Sequence, residues 1–239
     1  MNHNDISYIH RNNEKSLLRS VLDGSLSEDI YISDLVSNKT NYPNGAFFGD
    51  FSNRKRSLFI NMVVLTSGKY YFLQGSKNID IAHIVFDAHI SMPQFTVADF
   101  FKGMPDLEHV ELEFGTGLTS VTVNAAFTNL PKLRTCILRH HNANGSLVFA
   151  SNVFGGGGNT LDTLVLDTPF LCTMSNVSAM DTTKFKNGGA GGTIYIPESL
   201  YSHLGDGTAM DYKAATNWST LDGYGTVTWA KIEGSEYES

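Results

Sequence analysis

A chain of 239 residues with 41% hydrophobic content is long enough to bury a sizeable core, as one large domain or two small ones. A net charge of −7 and a pI near 5.5, with no basic run beyond RKR at 54–56, exclude a nucleic-acid groove or an anionic membrane surface as the main partner. No apolar run approaches the ~18 residues of a membrane span, and MNHNDISYIHRNNEKSLLRSVL lacks the basic-then-apolar order of a secretory signal, so a soluble chain without its own export signal is expected.

Residues 1–13 carry four Asn and two His and are expected to form a polar arm. In EKSLLRSVLDGSL (14–26), Leu17, Leu18, Val21 and Leu22 share one helical face and Asp23-Gly24 supplies a stop, which predicts a helix covering whatever follows. Arm and capping helix together take residues 1–25. From residue 26 the pattern Leu/Ile-x-x-Val-x-Leu recurs, as INMVVL (60–65), IAHIVF (81–86), LEHVEL (107–112), LRTCIL (133–138) and LDTLVL (161–166). These starts are 21, 26, 26 and 28 residues apart, and the partial copies Ile30-Tyr31-Ile32 and Ile194-Tyr195-Ile196 bring the count to about seven rungs. Phe51, Phe72, Phe101, Phe127 and Phe154 lie 9 to 12 residues before Val63, Ile84, Val110, Cys136 and Leu164 of the complete rungs, and Phe185 keeps this offset before Ile194. Two apolar rows at one period predict a stacked solenoid, with one strand per coil and the aromatic row filling the interior from the opposite arc.

Turn signals separate the rungs: GMPD (103–106), NLPK (129–132), NANG (142–145), GGGG (155–158) and NGGAGG (187–192). GGGGN at 155–159 lacks the Gly-Lys-Ser/Thr ending of a phosphate loop and reads as a coil corner. Cys136 and Cys172 lie in apolar surroundings, which predicts buried free thiols rather than a disulfide or zinc site.

Aromatic residues ahead of Leu-x-x-Val-x-Leu strands resemble the irregular leucine-rich repeats of the BspA-like class, found in bacterial surface antigens and bacteriophage structural proteins. The likeness spans residues 26–198, with longer loops at 33–59, 139–153 and 168–191. The segments TIYIPESL (193–200), MDYKAATNWSTL (210–221) and TVTWAKIE (226–233) are similar to the terminal cap of such arrays. Ile194, Ile196, Pro197, Tyr212, Lys213, Asn217, Trp218 and Ser219 match its pattern, and SHLGDGTAM (202–210) interrupts it. The resemblance implies an α/β repeat, namely a leucine-rich-repeat solenoid with a short-strand parallel sheet, a helical N-terminal cap and an α/β C-terminal cap over 199–239. The cap's Tyr-Lys would sit in a helix, with Trp218 and Trp229 packing the last coil. It further implies a non-enzymatic virion component of tail, baseplate or capsid, whose partners are other virion proteins or a host-surface receptor. A bacterial cell-surface adhesin and a phage polysaccharide depolymerase are the alternatives. A homo-oligomer, if formed, would assemble through the N-terminal arm or a sheet flank.

With the rungs aligned as quoted, three outward rows follow from the strand period of two. One runs Asp29, Met62, His83, His109, Thr135, Thr163, Thr193; the next Tyr31, Val64, Val85, Glu111, Ile137, Val165, Tyr195; the third Ser33, Thr66, Asp87, Glu113, Arg139, Asp167, Pro197. His83 would neighbour His109, and Asp87 would neighbour Glu113. A His pair beside carboxylates can bind metal, and stacked carboxylates can perform glycosidic acid/base chemistry. A hydrophilic sheet wall needs polar residues in any case, so His83, Asp87, His109, Glu111, Glu113, Arg139, Tyr31 and Tyr195 are taken as candidates for a binding face, with no catalytic residue, metal or cofactor assigned. His140 and His141 are consecutive at a strand end, where side chains point apart. No Gly-x-Ser-x-Gly, His-Glu-x-x-His, Cys-x-x-Cys or nucleotide fingerprint occurs.

Overall fold

A computed structural model describes residues 30–37, 56–64, 73–88, 94–156, 160–181, 183–186 and 189–237. The expected N-terminal arm and capping helix, together with Phe51 and Phe72, lie outside the described residues.

The chain winds as a parallel β-solenoid with two sheets. The larger has eight strands in the order β1 (Ile30–Ser37), β2 (Arg56–Val64), β3 (Ile79–Asp87), β5 (His109–Phe114), β7 (Thr135–His140), β9 (Thr163–Asp167), β11 (Gly192–Ile196) and β12 (Val227–Lys231). Every neighbouring pair is parallel. The opposite wall is a four-stranded parallel sheet of β4 (Phe95–Ala98), β6 (Ser120–Asn124), β8 (Ser146–Phe149) and β10 (Thr173–Met174). The residues alternate buried and half-buried along β5, β6, β7 and β8, so each strand gives one face to the core.

This second wall departs from the expected α/β repeat. Helices among the described residues are short: a 3-10 turn at Val177–Met180, α1 (Glu198–Tyr201) and α2 (Trp218–Asp222). SVTVN and SLVF alternate on a period of two and are rich in β-branched residues, so the return arcs that carry β4, β6, β8 and β10 are extended rather than helical.

The aromatic row holds where it is described. Phe101, Phe127 and Phe154 stack rung on rung, with ring centroids 5.6 and 5.1 Å apart and planes within 15°. Phe185, fully buried, keeps its place in the core. Each stacked pair is worth about 0.5–1.5 kcal/mol beyond its buried area. A second column runs through Phe86, Phe114, His140 and Phe170 with centroids 5.7, 5.9 and 5.2 Å apart, which places His140 inside and leaves His141 outside. The corners repeat as well. Gly75, Gly103 and Asn129 all have positive φ, and their amides donate to Lys102 O, Thr128 O and Gly155 O of the next coil at 2.8 to 2.9 Å. Asp99, Ala125 and Asn152 form another left-handed column.

Between β10 and the chain's last described residues, side chains close the edge of the small sheet. The Cys172 amide donates to Tyr212 Oη at 2.9 Å, the Trp218 indole N–H donates to Cys172 O at 2.7 Å, and Asn217 Nδ2 donates to Met174 O at 2.7 Å. These three bonds stand where a further strand would pair, which blocks an edge otherwise open to association. Trp229 is half-buried against Tyr212 and Trp218, 5.2 and 6.2 Å away. Tyr212-Lys213 lie in turns before α2 rather than in the expected helix, because the Asp211 carboxylate accepts the Gly207 and Lys213 amides and ties that segment into a loop. Cys136 and Cys172 are free and buried, as their surroundings predicted.

Candidate functional site

The register of the large sheet sets what meets on its outer face, and it differs from the expected alignment at β2 and β3. Ala82, not Ile84, lies opposite Val110, and Leu58 lies opposite Ala82. The first core positions become Leu58, Ala82, Val110, Cys136, Leu164 and Ile194, with Ile30 level with Leu58 in register, a spacing of 24 to 30 residues that is more even than the quoted motifs suggested. Met62, expected outside, is fully buried opposite Phe86.

His83 therefore neighbours Glu111 and not His109, which instead faces Ile81 and Thr135 and is exposed. Asp87 lies opposite Val63, beyond the level of Glu113, and its carboxylate accepts the amide of Ala88 at 2.7 Å. Tyr31 and Tyr195 belong to the row of His83 and Glu111, in the order Tyr31, Phe59, His83, Glu111, Ile137, Val165, Tyr195, Ala230. The next row reads Asn61, Val85, Glu113, Arg139, Asp167. A bulge between Ile32 and Leu35 in β1 keeps Ser33 out of it.

Four of the eight candidates converge across three rungs. His83 Nε2 lies 2.6 Å from Glu113 Oε1, and His83 Nδ1 lies 3.9 Å from Glu111 Oε2. Arg139 Nε donates to Glu111 Oε1 at 2.8 Å, and its guanidinium also bonds the Asp167 carboxylate. Burial works against the Arg139 charge, but Glu111, Asp167 and Glu113 outweigh it and raise its pKa further. His83–Glu113 and Arg139–Glu111 run diagonally between adjacent rungs, within reach of long side chains, while His83–Glu111 and Arg139–Asp167 join directly opposite residues.

The face also recruits residues to which no sequence motif points. His141 Nε2 lies 3.3 Å from Glu113 Oε2, while its Nδ1 lies 2.9 Å from Glu236 Oε1. Ser235 Oγ donates to Asp167 Oδ1 at 2.9 Å, and Tyr237 Oη donates to His140 O at 2.5 Å. Residues 235–237 thus form a strap at the β7–β9 end of the face. Asp167, with a side chain only 2% exposed, has both carboxyl oxygens bonded, one by Arg139 and the other by Ser235. The Tyr237 hydroxyl, helped by His141, holds the Glu236 carboxyl below its usual range. One ligand atom from each of His83, Glu111 and Glu113 falls within a group whose members lie within 4.8 Å of one another, a set able to hold a cation.

Around this charged centre the face is apolar and β-branched, through half-buried Phe59, Val85, Ile137 and Val165. Phe59 packs edge-on to His83 at 6.1 Å. Among the described residues no helix is long and apolar enough to cross a membrane. Comparison with known proteins returns no match to a family model, to a curated protein or to a solved structure.

Proposed function

We propose that the chain is a non-enzymatic binding module of the BspA-like leucine-rich-repeat type, a bacteriophage virion structural protein that offers the outer face of its eight-stranded sheet to a protein or host-surface glycan. The observation that carries the binding reading is the composition of that face. A cluster of His83, Glu111, Glu113, Arg139 and Asp167 sits among Phe59, Val85, Ile137 and Val165, with polar groups that fix orientation beside apolar area that rewards burial. Glu111 and Glu113 are each engaged by a basic side chain, which suits a recognition surface better than a free acid/base pair. The leucine-rich-repeat type and the virion setting rest on the sequence resemblance, and the stacked Phe101, Phe127 and Phe154 column supports the repeat part of it.

Two measurements test the proposal. Mass spectrometry with immunogold labelling of phage particles from the source organism should find the chain at fixed stoichiometry on tail or capsid, and its absence there would remove the virion setting. A glycan array probed with the parent and with Ile137→Arg and Val165→Arg should show binding that both variants lose. Binding that survives both substitutions would move the surface elsewhere.

A further inference from the structure

We propose that the outer face carries a divalent transition-metal site formed by His83 of β3 and Glu111 and Glu113 of β5. The inference deepens the binding-face reading and rests on it only for the ion's use. The ligand set itself stands on geometry.

Each carboxylate of the pair has one oxygen held from outside and one turned toward His83. Arg139 Nε occupies Glu111 Oε1 at 2.8 Å, leaving Oε2 on the side of the imidazole. His141 Nε2 lies 3.3 Å from Glu113 Oε2, leaving Oε1 2.6 Å from His83 Nε2. The two outer partners are themselves braced, Arg139 by Asp167 and His141 by Glu236. The two oxygens approach different ring nitrogens, so an ion on His83 Nε2 beside Glu113 Oε1 needs the Glu111 carboxylate to turn from the Nδ1 side to complete an inner set of one nitrogen and two oxygens, surrounded by hydrogen-bonded groups that orient it. Metal ligands are commonly oriented in this way, and a merely solvated acidic patch does not need it.

The atoms are close enough for an ion to fit with small rotations. Ligands at about 2.0–2.2 Å around a tetrahedral ion stand roughly 3.3–3.5 Å apart, inside the 4.8 Å that contains the present group. An imidazole with two carboxylates suits Zn²⁺ or a neighbouring first-row ion better than Ca²⁺, which prefers six to eight oxygens. The three protein ligands come from one side of a sheet, so the remaining positions face solvent and can accept oxygens of a bound partner. An ion bound at His83 Nε2 would take the place of its present contact with Glu113 Oε1.

The test is isothermal titration of the metal-free full chain with Zn²⁺ alone. The parent should bind one equivalent. His83→Ala and Glu113→Gln should each weaken binding by at least about tenfold, and Arg139→Gln, which removes an orienting partner, by about 10–100-fold. His109→Ala, on an exposed position outside the cluster, and His203→Ala, remote from the sheet face, should leave it unchanged. All these side chains are at least partly exposed, and thermal melts verify that each variant folds. No bound equivalent in the parent, or equal binding by the parent and both His83→Ala and Glu113→Gln, would overturn the site. Running the glycan array with and without Zn²⁺ separates the two proposals. Zn²⁺ binding without any face ligand removes the binding reading and leaves the ion, whereas face binding indifferent to His83→Ala and to Zn²⁺ removes the ion's proposed use.

Discussion

Removing a single oxygen atom, by Tyr212→Phe, tests whether the small sheet is closed by side chains rather than by a strand. Tyr212 is fully buried, and its ring lies 5.2 Å from both Trp218 and Trp229, contacts that phenylalanine keeps. What is lost is the acceptor for the Cys172 amide at 2.9 Å, on a residue that is itself fully buried. Leaving that N–H without a partner costs about 1–3 kcal/mol, whereas Tyr212→Ala, which also removes the ring, should cost about 3–5 kcal/mol. Urea unfolding followed by tryptophan fluorescence reads both, because Trp218 and Trp229 belong to the same cluster. The midpoint should fall with an unchanged slope for Tyr212→Phe. A change below about 0.5 kcal/mol, the level of an ordinary surface substitution, would refute the claim that this hydroxyl terminates the edge.

Three further outcomes follow from buried or constrained positions. Ala125 has φ of 49°, a left-handed conformation that costs an L-residue about 1–2 kcal/mol, while glycine loses about 0.5–1 kcal/mol more backbone entropy on folding. Ala125→Gly should therefore be neutral to stabilising by about 1 kcal/mol in the same assay, and clear destabilisation would contradict the strain. Burial, with the charge of His141 adding to it, pushes the His140 imidazole down to about 4 from 6.5, so the unfolded chain takes up this proton first as pH falls. The stability that neutral His140 contributes is present above about pH 6.5 and declines toward pH 4, at up to about 1.4 kcal/mol per pH unit. Melting temperature measured across that window should fall less steeply for His140→Phe than for the parent, and parallel curves would count against a buried neutral imidazole. Burial also raises both thiols, Cys172 to about 11, so neither should react with a disulfide reagent at pH 8 until denaturant is added; rapid labelling of the folded chain would contradict their burial.

The parts of the fold that sequence could reveal are those where one face is apolar and the other is not. LEHVEL and LRTCIL alternate cleanly, and both β5 and β7 follow them in parity and register. The phase fails at β2 and β3 because both faces there are apolar. Phe59, Ile81 and Val85 stand outside and small Ala82 inside, so a shift of β3 by two residues against β5 looks equally hydrophobic, as does the three-residue shift of β2 against β3 that exchanges its faces and buries Met62. The second sheet escaped notice because its strands run only two to five residues and expose Ser and Thr. The strap was not legible either, since Ser235 and Tyr237 find partners 68 and 97 residues away without a local signal.

That two-residue phase also decides the chemistry of the face. In the expected alignment His83 stands beside His109, and Asp87 beside Glu113, giving one histidine pair and one acidic pair in separate rows. In the observed register Glu111 and Glu113, two residues apart on β5, lie between opposite rungs carrying His83 on one side and Arg139 and His141 on the other. Neighbouring rungs are about 4.8 Å apart, so a glutamate on the middle strand reaches both sides while aspartate in the same place would fall short of the diagonal contacts. The alternation of acid and base across three coils is thus a consequence of stacking order rather than of any local motif. The core decides it, because the packing of Phe86 on Phe114 at 5.7 Å locks the phase of β3 against β5 and so places His83 opposite the two carboxylates.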